Sequence, residues 1–400
     1  MNRYTNIIAG LLSVTLGTVA GGCATMHEDV EECPTGLYVR FAYDYNTARA
    51  DMFKDHVGHI RLYVYDEAGD KVAQRDVSNT ATEHPLEEYG YAVHFADGEL
   101  PDGRYRLQAV AMQKDWTEAE ATPGAKYRRN DPQRHDQLTV HLDRDESPIP
   151  GHEHFRVSNE APLDTLWHTL KVTSTEPMES PSMPGVHKTV KPYSIYPLEE
   201  QMVEVRYNHA TYATVSLIRN TKHINVILRQ LDEPENIYHD DYKVFIVDAN
   251  RAVGHDNESI SDEKLCYSPY HTWTTAFDAD GTEINPGTRA ESGSHPVNRA
   301  AHYNLMCNRL IDHTGDYGKN ARLVIYNART GDKTVDINLP STLAEGRHAY
   351  DTYNYSSQEY LDREYDYHLH FFLKGDKWEY CDVVINVLGW SRRVSRINLD

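Results

Sequence analysis

The chain has 400 residues, 40 basic against 61 acidic, and a formal charge of −21 at pH 7. That balance argues against nucleic acid and against docking on an anionic lipid surface, and it favours solubility and repulsion between copies. The 28 tyrosines against 8 phenylalanines suit half-buried strands whose aromatic tips reach water.

The N-terminus carries one basic residue, Arg3, then an apolar run from Ile7 to Ala20 broken by small residues, then Gly21-Gly22-Cys23. This is the layout of a secretory signal. The run is shorter than the roughly 20 residues a spanning helix needs. A cysteine directly after the small residues points to a lipoprotein: the Cys23 thiol takes a diacylglycerol, cleavage occurs before it, and Cys23 becomes the first mature residue. Ala20 departs from the usual lipobox, where a leucine is preferred. One acyl chain, at about 0.8 kcal/mol per buried methylene, holds a protein only marginally, whereas two or three hold it permanently. With 1–22 removed as the signal, residues 23–36, with Glu28, Asp29, Glu31 and Glu32, read as an acidic tether.

From Leu37 the pattern has period two. Leu37, Val39, Phe41, Tyr43 and Tyr45 share one face, and Tyr38, Arg40, Ala42 and Asp44 the other. A second strand spans 59–65 and ends in the turn Asp66-Glu67-Ala68-Gly69-Asp70, followed by short strands at 71–73, 92–95, 104–112 and 137–142. Pro101-Asp102-Gly103 is a turn in which proline presets one dihedral and glycine accepts a positive one. Short strands parted by such turns predict an antiparallel β-sandwich over 37–150. Pro148, Pro150, Gly151 and Pro162 mark a linker at 151–164, and 165–400 is expected to form a second sandwich. Its strands are read at 166–172, 202–207, 213–219, 224–230, 242–248, 321–326, 334–339, 365–373 and 382–387, with a tail strand to Leu399. Arg219-Asn220-Thr221-Lys222 is expected to turn a hairpin. Residues 249–300 read as a long polar surface excursion, 302–311 as helix or strand, and 342–362 as helix or irregular turns.

Four cysteines remain beside Cys23: Cys33, Cys266, Cys307 and Cys381. They allow two bridges in three pairings, or free buried thiols, since a chain of this length needs no staples. His152-Glu153-His154 places two histidines on one face of a strand, but with 22 histidines along the chain their nearness is better read as chance than as a metal pair. Asp278-Ala279-Asp280-Gly281-Thr282-Glu283 lacks the third acid and distal glutamate of a calcium loop and reads as a turn. No Walker loop, nucleophile elbow, H-E-x-x-H or dinucleotide fingerprint is present, so no catalytic residue, metal or cofactor is assigned.

Cys33-Pro34-Thr35-Gly36-Leu37-Tyr38-Val39-Arg40-Phe41-Ala42-Tyr43-Asp44-Tyr45-Asn46, with Ala50-Asp51-Met52-Phe53 and the stretch from Val57 through Leu62-Tyr63-Val64-Tyr65 to Gly69, resembles the opening of FimB-type fimbrial anchor subunits of Bacteroidales type V pili. Residues 214–224, 242–250 with His255-Asp256-Asn257, and Val383-Val384-Ile385-Asn386-Val387-Leu388-Gly389-Trp390 resemble later segments of that family. The resemblance implies two transthyretin-like sandwiches in tandem, no catalysis, and a place at the base of a fimbria on the outer membrane. It also implies a shaft subunit as partner and the lipid on Cys23 as the hold on the membrane. Shaft subunits of such pili lose their first strand and receive a neighbour's; an anchor keeps it, because its lipid lies just upstream. The amphipathic tail at 391–400, with Val394, Ile397 and Leu399 as apolar anchors, is then the expected contact with the shaft. It can equally be read as the last edge strand of its own domain. The alternative function is a surface lipoprotein that binds glycans of a polysaccharide-uptake system, with the loop tryptophans Trp116 and Trp273 as contacts.

Overall fold

The computed structural model describes residues 34–174, 202–284, 298–387 and 390–398. Cys23, Cys33 and Leu399, like residues 1–22, expected to be a signal, and most of 23–36, expected to be a tether, lie outside the described residues. The first stretch carries β1 (Gly36–Ala42), β2 (His59–Tyr65), β3 (Lys71–Ser78), β4 (Val93–Phe95), β5 (Gly103–Met112), β6 (Tyr127–Arg129), β7 (Val140–Leu142), β8 (His154–Arg156) and β9 (Leu166–Ser174). The second adds β10 (Val203–Val205), β11 (Ala210–Arg219), β12 (Lys222–Gln230), β13 (Tyr242–Asp248), β14 (Ala252–Val253), β15 (Lys264–Tyr267), β16 (His271–Phe277) and β17 (Glu283–Ile284). Then come β18 (Asn298–Cys307), β19 (Arg322–Asn327), β20 (Lys333–Asn338), β21 (Asp366–Lys374), β22 (Lys377–Val387) and β23 (Trp390–Asn398).

Period-two patterning decides the first sheet. Leu37, Val39 and Phe41 of β1 are buried while Arg40 between them is exposed. They meet Ile60, Leu62 and Val64 of β2 and Val215 and Leu217 of β11 in one apolar cluster. Burying such a side chain is worth about 1.5–3 kcal/mol. The strand order is β3-β2-β5-β9-β11-β1-β4, with β10 pairing β5. Strands β2 and β5 are buried on both faces, because Tyr63, Tyr65, Val110 and Met112 point away from that cluster into the core of the second half.

That second core lies between a seven-stranded sheet, β17-β16-β18-β12-β21-β22-β23, and a five-stranded one, β20-β19-β13-β15-β8. Ile224, Val226, Leu369 and Phe371 from one sheet face Val244, Ile246, Leu323 and Ile325 from the other. A three-stranded sheet, β14-β7-β6, completes it. The protein is a tandem of β-sandwiches with, among the described residues, four short α-helices: α1 (Phe53–His56), α2 (Trp116–Ala121), α3 (Leu339–Ala344) and α4 (Ser357–Arg363).

The structure departs from the sequence reading in four places. First, β9 and β11, beyond the expected linker, belong to the sheet of β1, whereas β7, before it, and β8, within it, pair with β14 and β15. The prolines at 148–162 mark a crossing between sheets rather than a single boundary, because local composition records a break but not the partner of the next strand. Second, β11 and β12 form no hairpin; they run into different sheets. Third, residues 249–300 hold β14 to β17 and the start of β18, and Leu265, Tyr267 and Ala276 are buried. The polar turns between them dilute the apolar signal of such short strands. Fourth, pairing is antiparallel except for one parallel pair in each of the three larger sheets: β1 with β11, β12 with β21, and β15 with β8. Each of these pairs is joined by a long connection, as parallel strands require.

Candidate functional site

The two ends of the described chain and the segment joining the sandwiches differ in how they are paired. At one end, β1 is an interior strand, parallel to β11 along its whole length and antiparallel to β4 through Leu37–Phe95 and Val39–Val93. Gly36 has φ +85°, and a Cβ there would collide with the Phe95 carbonyl oxygen. Only glycine allows this close entry to the strand. Phe41 stacks on Phe53 of α1 at 5.8 Å. Tyr43 and Tyr45, beyond the strand's end, are buried too.

At the other end, β23 is an edge strand with one neighbour, β22. Arg396 donates to both carboxylate oxygens of Asp382, at 2.7 and 3.0 Å, and its guanidinium lies 3.9 Å over the Tyr380 ring. Val394 and Ile397 are half-buried, and Ile397 packs against the core, while Arg392, Arg393 and Arg396 are exposed. The outer edge of β23 pairs with no other strand among the described residues, and the turn Glu345–Tyr350 packs against this strand.

Between the ends, residues 219–222 cross from one sandwich to the other, and all four are buried. Arg219 lies 4.1 Å over the Tyr365 ring. The side-chain amides of Asn220 and Asn257 exchange two hydrogen bonds of 2.7 and 3.0 Å. Asn257 sits at φ +63°, a left-handed conformation asparagine tolerates. The Thr221 hydroxyl accepts from the Leu166 amide and donates to the Asp164 carbonyl. Lys222 Nζ donates to the carbonyls of Asp362 and Glu364 at 3.1 and 2.8 Å, and burial pushes its ammonium down from 10.5 to about 7. Alongside, Arg309 and Asp362 form a buried bidentate pair at 2.8 and 2.9 Å, and Arg309 also donates to the Asn257 carbonyl. Buried charges persist where they are paired and hydrogen-bonded, as here. Residue composition reads 219–222 as a surface turn, and it gives no signal for Arg309 and Asp362. The one available clue was the charged pair Arg219 and Lys222 standing between two apolar strands.

The tryptophans named for glycan contact are not on open loops. Trp116 opens α2 and is covered by the Arg129 guanidinium at 4.2 Å. Trp273 lies on β16, stacked on His302 at 4.6 Å and on His271 at 4.8 Å. His152 and His154 stack at 5.7 Å, and among the described residues no group of three or more His, Cys, Asp or Glu is placed to hold a metal ion. Asp278 closes an ordinary turn by accepting from the amides of Asp280 and Thr282. Cys266, Cys307 and Cys381 are buried free thiols on β15, β18 and β22, and burial pushes each thiol up.

The described residues thus form tandem sandwiches with β1 paired on both sides and a buried, hydrogen-bonded joint between them. The family model for fimbrillin-A associated anchor proteins Mfa1 and Mfa2 matches residues 30–394, and the chain belongs to that family. The fold is shared with the fimbrial anchor protein Mfa2 of Porphyromonas gingivalis: TM-score 0.52, 13% identity, 91% of this chain and 100% of that one. A candidate adhesin of Bacteroides thetaiotaomicron superposes with TM-score 0.62 at 21% identity, over 92% of this chain and 100% of its own. A candidate polysaccharide-binding protein of the same organism gives 0.58 at 24%, over 90% and 99%. No curated protein matches.

Proposed function

We propose that this chain is the lipid-tethered anchor subunit of a fimbria, held in the outer membrane by acyl chains on Cys23 and joined to the first shaft subunit through its C-terminal strand. The observation that carries this reading is the pairing of β1 on both sides. A subunit whose first strand fills its own sheet has no vacant groove there to receive a neighbour, so it can end a fibre but not extend it at that end. Cys23 stands only a short way before this strand, and removal of the strand would sever the protein from its lipid. The contact with the shaft then falls to the tail, where Val394, Ile397 and Leu399 stand among Arg392, Arg393 and Arg396 and β23 has one strand neighbour among the described residues. The partner is a fimbrial shaft subunit, the work is mechanical rather than catalytic, and the location is the cell surface at the base of the fibre.

Two variants test the two ends separately. Cys23→Ser should abolish labelling by a palmitate analogue and release folded protein or fibres into the medium. Retention in the membrane fraction after a high-salt wash would overturn the lipid tether. Deleting residues 394–400 should leave a monomer that still folds but sheds fibres. Cell-bound fibres on that truncated subunit would overturn the role of the tail.

A further inference from the structure

The five-stranded sheet has a second face that the fimbrial reading leaves without a task. Val244, Ile246, Leu265, Leu323 and Ile325 point into the core. By strand alternation Phe245, Val247, Cys266, Arg322, Val324 and Tyr326 point outward. These six floor a cleft of about 790 Å3. Its size lies within the range of about 300–1,000 Å3 usual for ligand sites. Three stretches wall it: Ile149 and His152 on one side, Ser259 to Asp262 on another, and His313 to Asn320 on the third.

Strand register gives the floor its charge pattern. Arg322 is opposite Val247, Val247 opposite Cys266, and Cys266 beside Arg156. An apolar strip is therefore bracketed by guanidinium groups, with α-carbons roughly 14 Å apart at about 4.8 Å per strand. Arg322 is neutralised by Asp336 at 2.6 Å. The exposed Arg156 makes no ion pair among the described residues. Lys264 and Lys319 stand at the rim, each paired only with an exposed acid, Glu153 and Asp316. Counting Glu153 and Asp316 at the rim, five cations meet five acids around the cleft, so it is balanced on a chain of −21, with Arg156 as its cation outside any ion pair among the described residues. Screening within about 8 Å makes this local balance, rather than the distant acids, what an entering anion meets.

We propose that this cleft binds a carboxylate-bearing oligosaccharide, its rings lying on the strip of Phe245, Val247 and Val324 and its carboxylates reaching Arg156, Lys264 and Lys319. A sugar ring offers a flat C–H face to such a floor and hydroxyls to polar wall groups such as His152, Ser261 and Ser268. An acidic peptide fits less well. The floor is a sheet face, not an edge, so its backbone groups are already in the ladder and an extended peptide gains no main-chain hydrogen bonds.

The test is calorimetric titration of the full-length chain with trigalacturonic acid, with the neutral galactose trisaccharide, and with triglutamate. The acidic sugar should bind at least tenfold more tightly than either of the others. Arg156→Glu should weaken it at least tenfold, and Lys319→Glu, on a different wall, should weaken it in the same direction. Both side chains are exposed, so an unchanged thermal melt keeps the comparison free of misfolding. No binding of the acidic sugar, equal affinity for both sugars, tighter binding of the peptide, or unaltered affinity in both variants would each overturn the proposal.

Discussion

Two polar stretches of this chain have similar composition and opposite fates. Residues 219–222 read Arg-Asn-Thr-Lys, and the tail at 392–396 reads Arg-Arg-Val-Ser-Arg. The first is buried throughout, with each side chain engaged. The second lies on an edge strand, and in its principal ion pair Arg396 is exposed while Asp382 is buried. A pair with one partner in water is weakened by screening and by the entropy of ordering a long side chain. A buried set of charges is costly to assemble, but breaking it by removing one member is costlier still. The joint should therefore hold the two sandwiches in one fixed relation, while the tail should be the less costly of the two to perturb. The proposed anchor, which would carry load through its body and engage a neighbour at its end, would use this asymmetry.

The contrast is broken most directly at the joint. Asp362→Ala leaves Arg309 buried without its carboxylate and should destabilise the protein by about 3–5 kcal/mol in denaturant unfolding. A loss under about 1 kcal/mol would mean that water replaces the carboxylate and that the joint is not closed. Phe41→Ala on β1 supplies an apolar reference: truncation in a packed core costs about 3–5 kcal/mol. If it were neutral, β1 would not be the interior strand on which the anchor reading rests.

A smaller effect sharpens the comparison through pH. The folded-state pKa of Lys222, about 7, lies below its ordinary 10.5. Above pH 7 the unfolded chain binds a proton that the folded chain has released, so this group makes stability rise with pH from 7 toward 10.5. Measured between pH 7 and 8.5, below the titration of thiols and phenols, the wild type should gain stability relative to Lys222→Met. Parallel profiles for the two proteins would show that Lys222 keeps its proton in the fold. The smallest effect belongs to the tail: Arg396→Ala leaves the buried Asp382 with Arg393 at 3.7 Å and should cost only a small fraction of the stability that Asp362→Ala does. A loss as large as that of Asp362→Ala would show β23 to be an integral strand that cannot be spared for a partner.

Much of this was legible in the sequence. Alternation alone places β1, β2, β5 and β13 to within a residue or a few, because a half-buried strand must put every second side chain into the core. The opening motif from Cys33 and the segments at 214–224 and 255–257 indicated the family, and the structure brings the last two together at the Asn220–Asn257 pair. The short strands β14 to β17 were not legible, since two to seven residues between polar turns leave too few positions for a period to emerge.

The sequence by itself determined that the chain is built of strands, where most of them begin and end, and which faces of β1 and β2 are apolar. Only the tertiary structure decided which strands are neighbours. β1 pairs with β11 and β4 rather than with β2, β11 and β12 part into separate sheets, and β7 and β8, from before and within the expected linker, join the second sandwich. The physical reason is that alternation is a property of one strand and its burial, whereas pairing is a choice among many strands with the same pattern, made by shape and by the fit of side chains from distant parts of the chain. For the same reason the polar residues 219–222 look like a surface turn until the two sandwiches close around them.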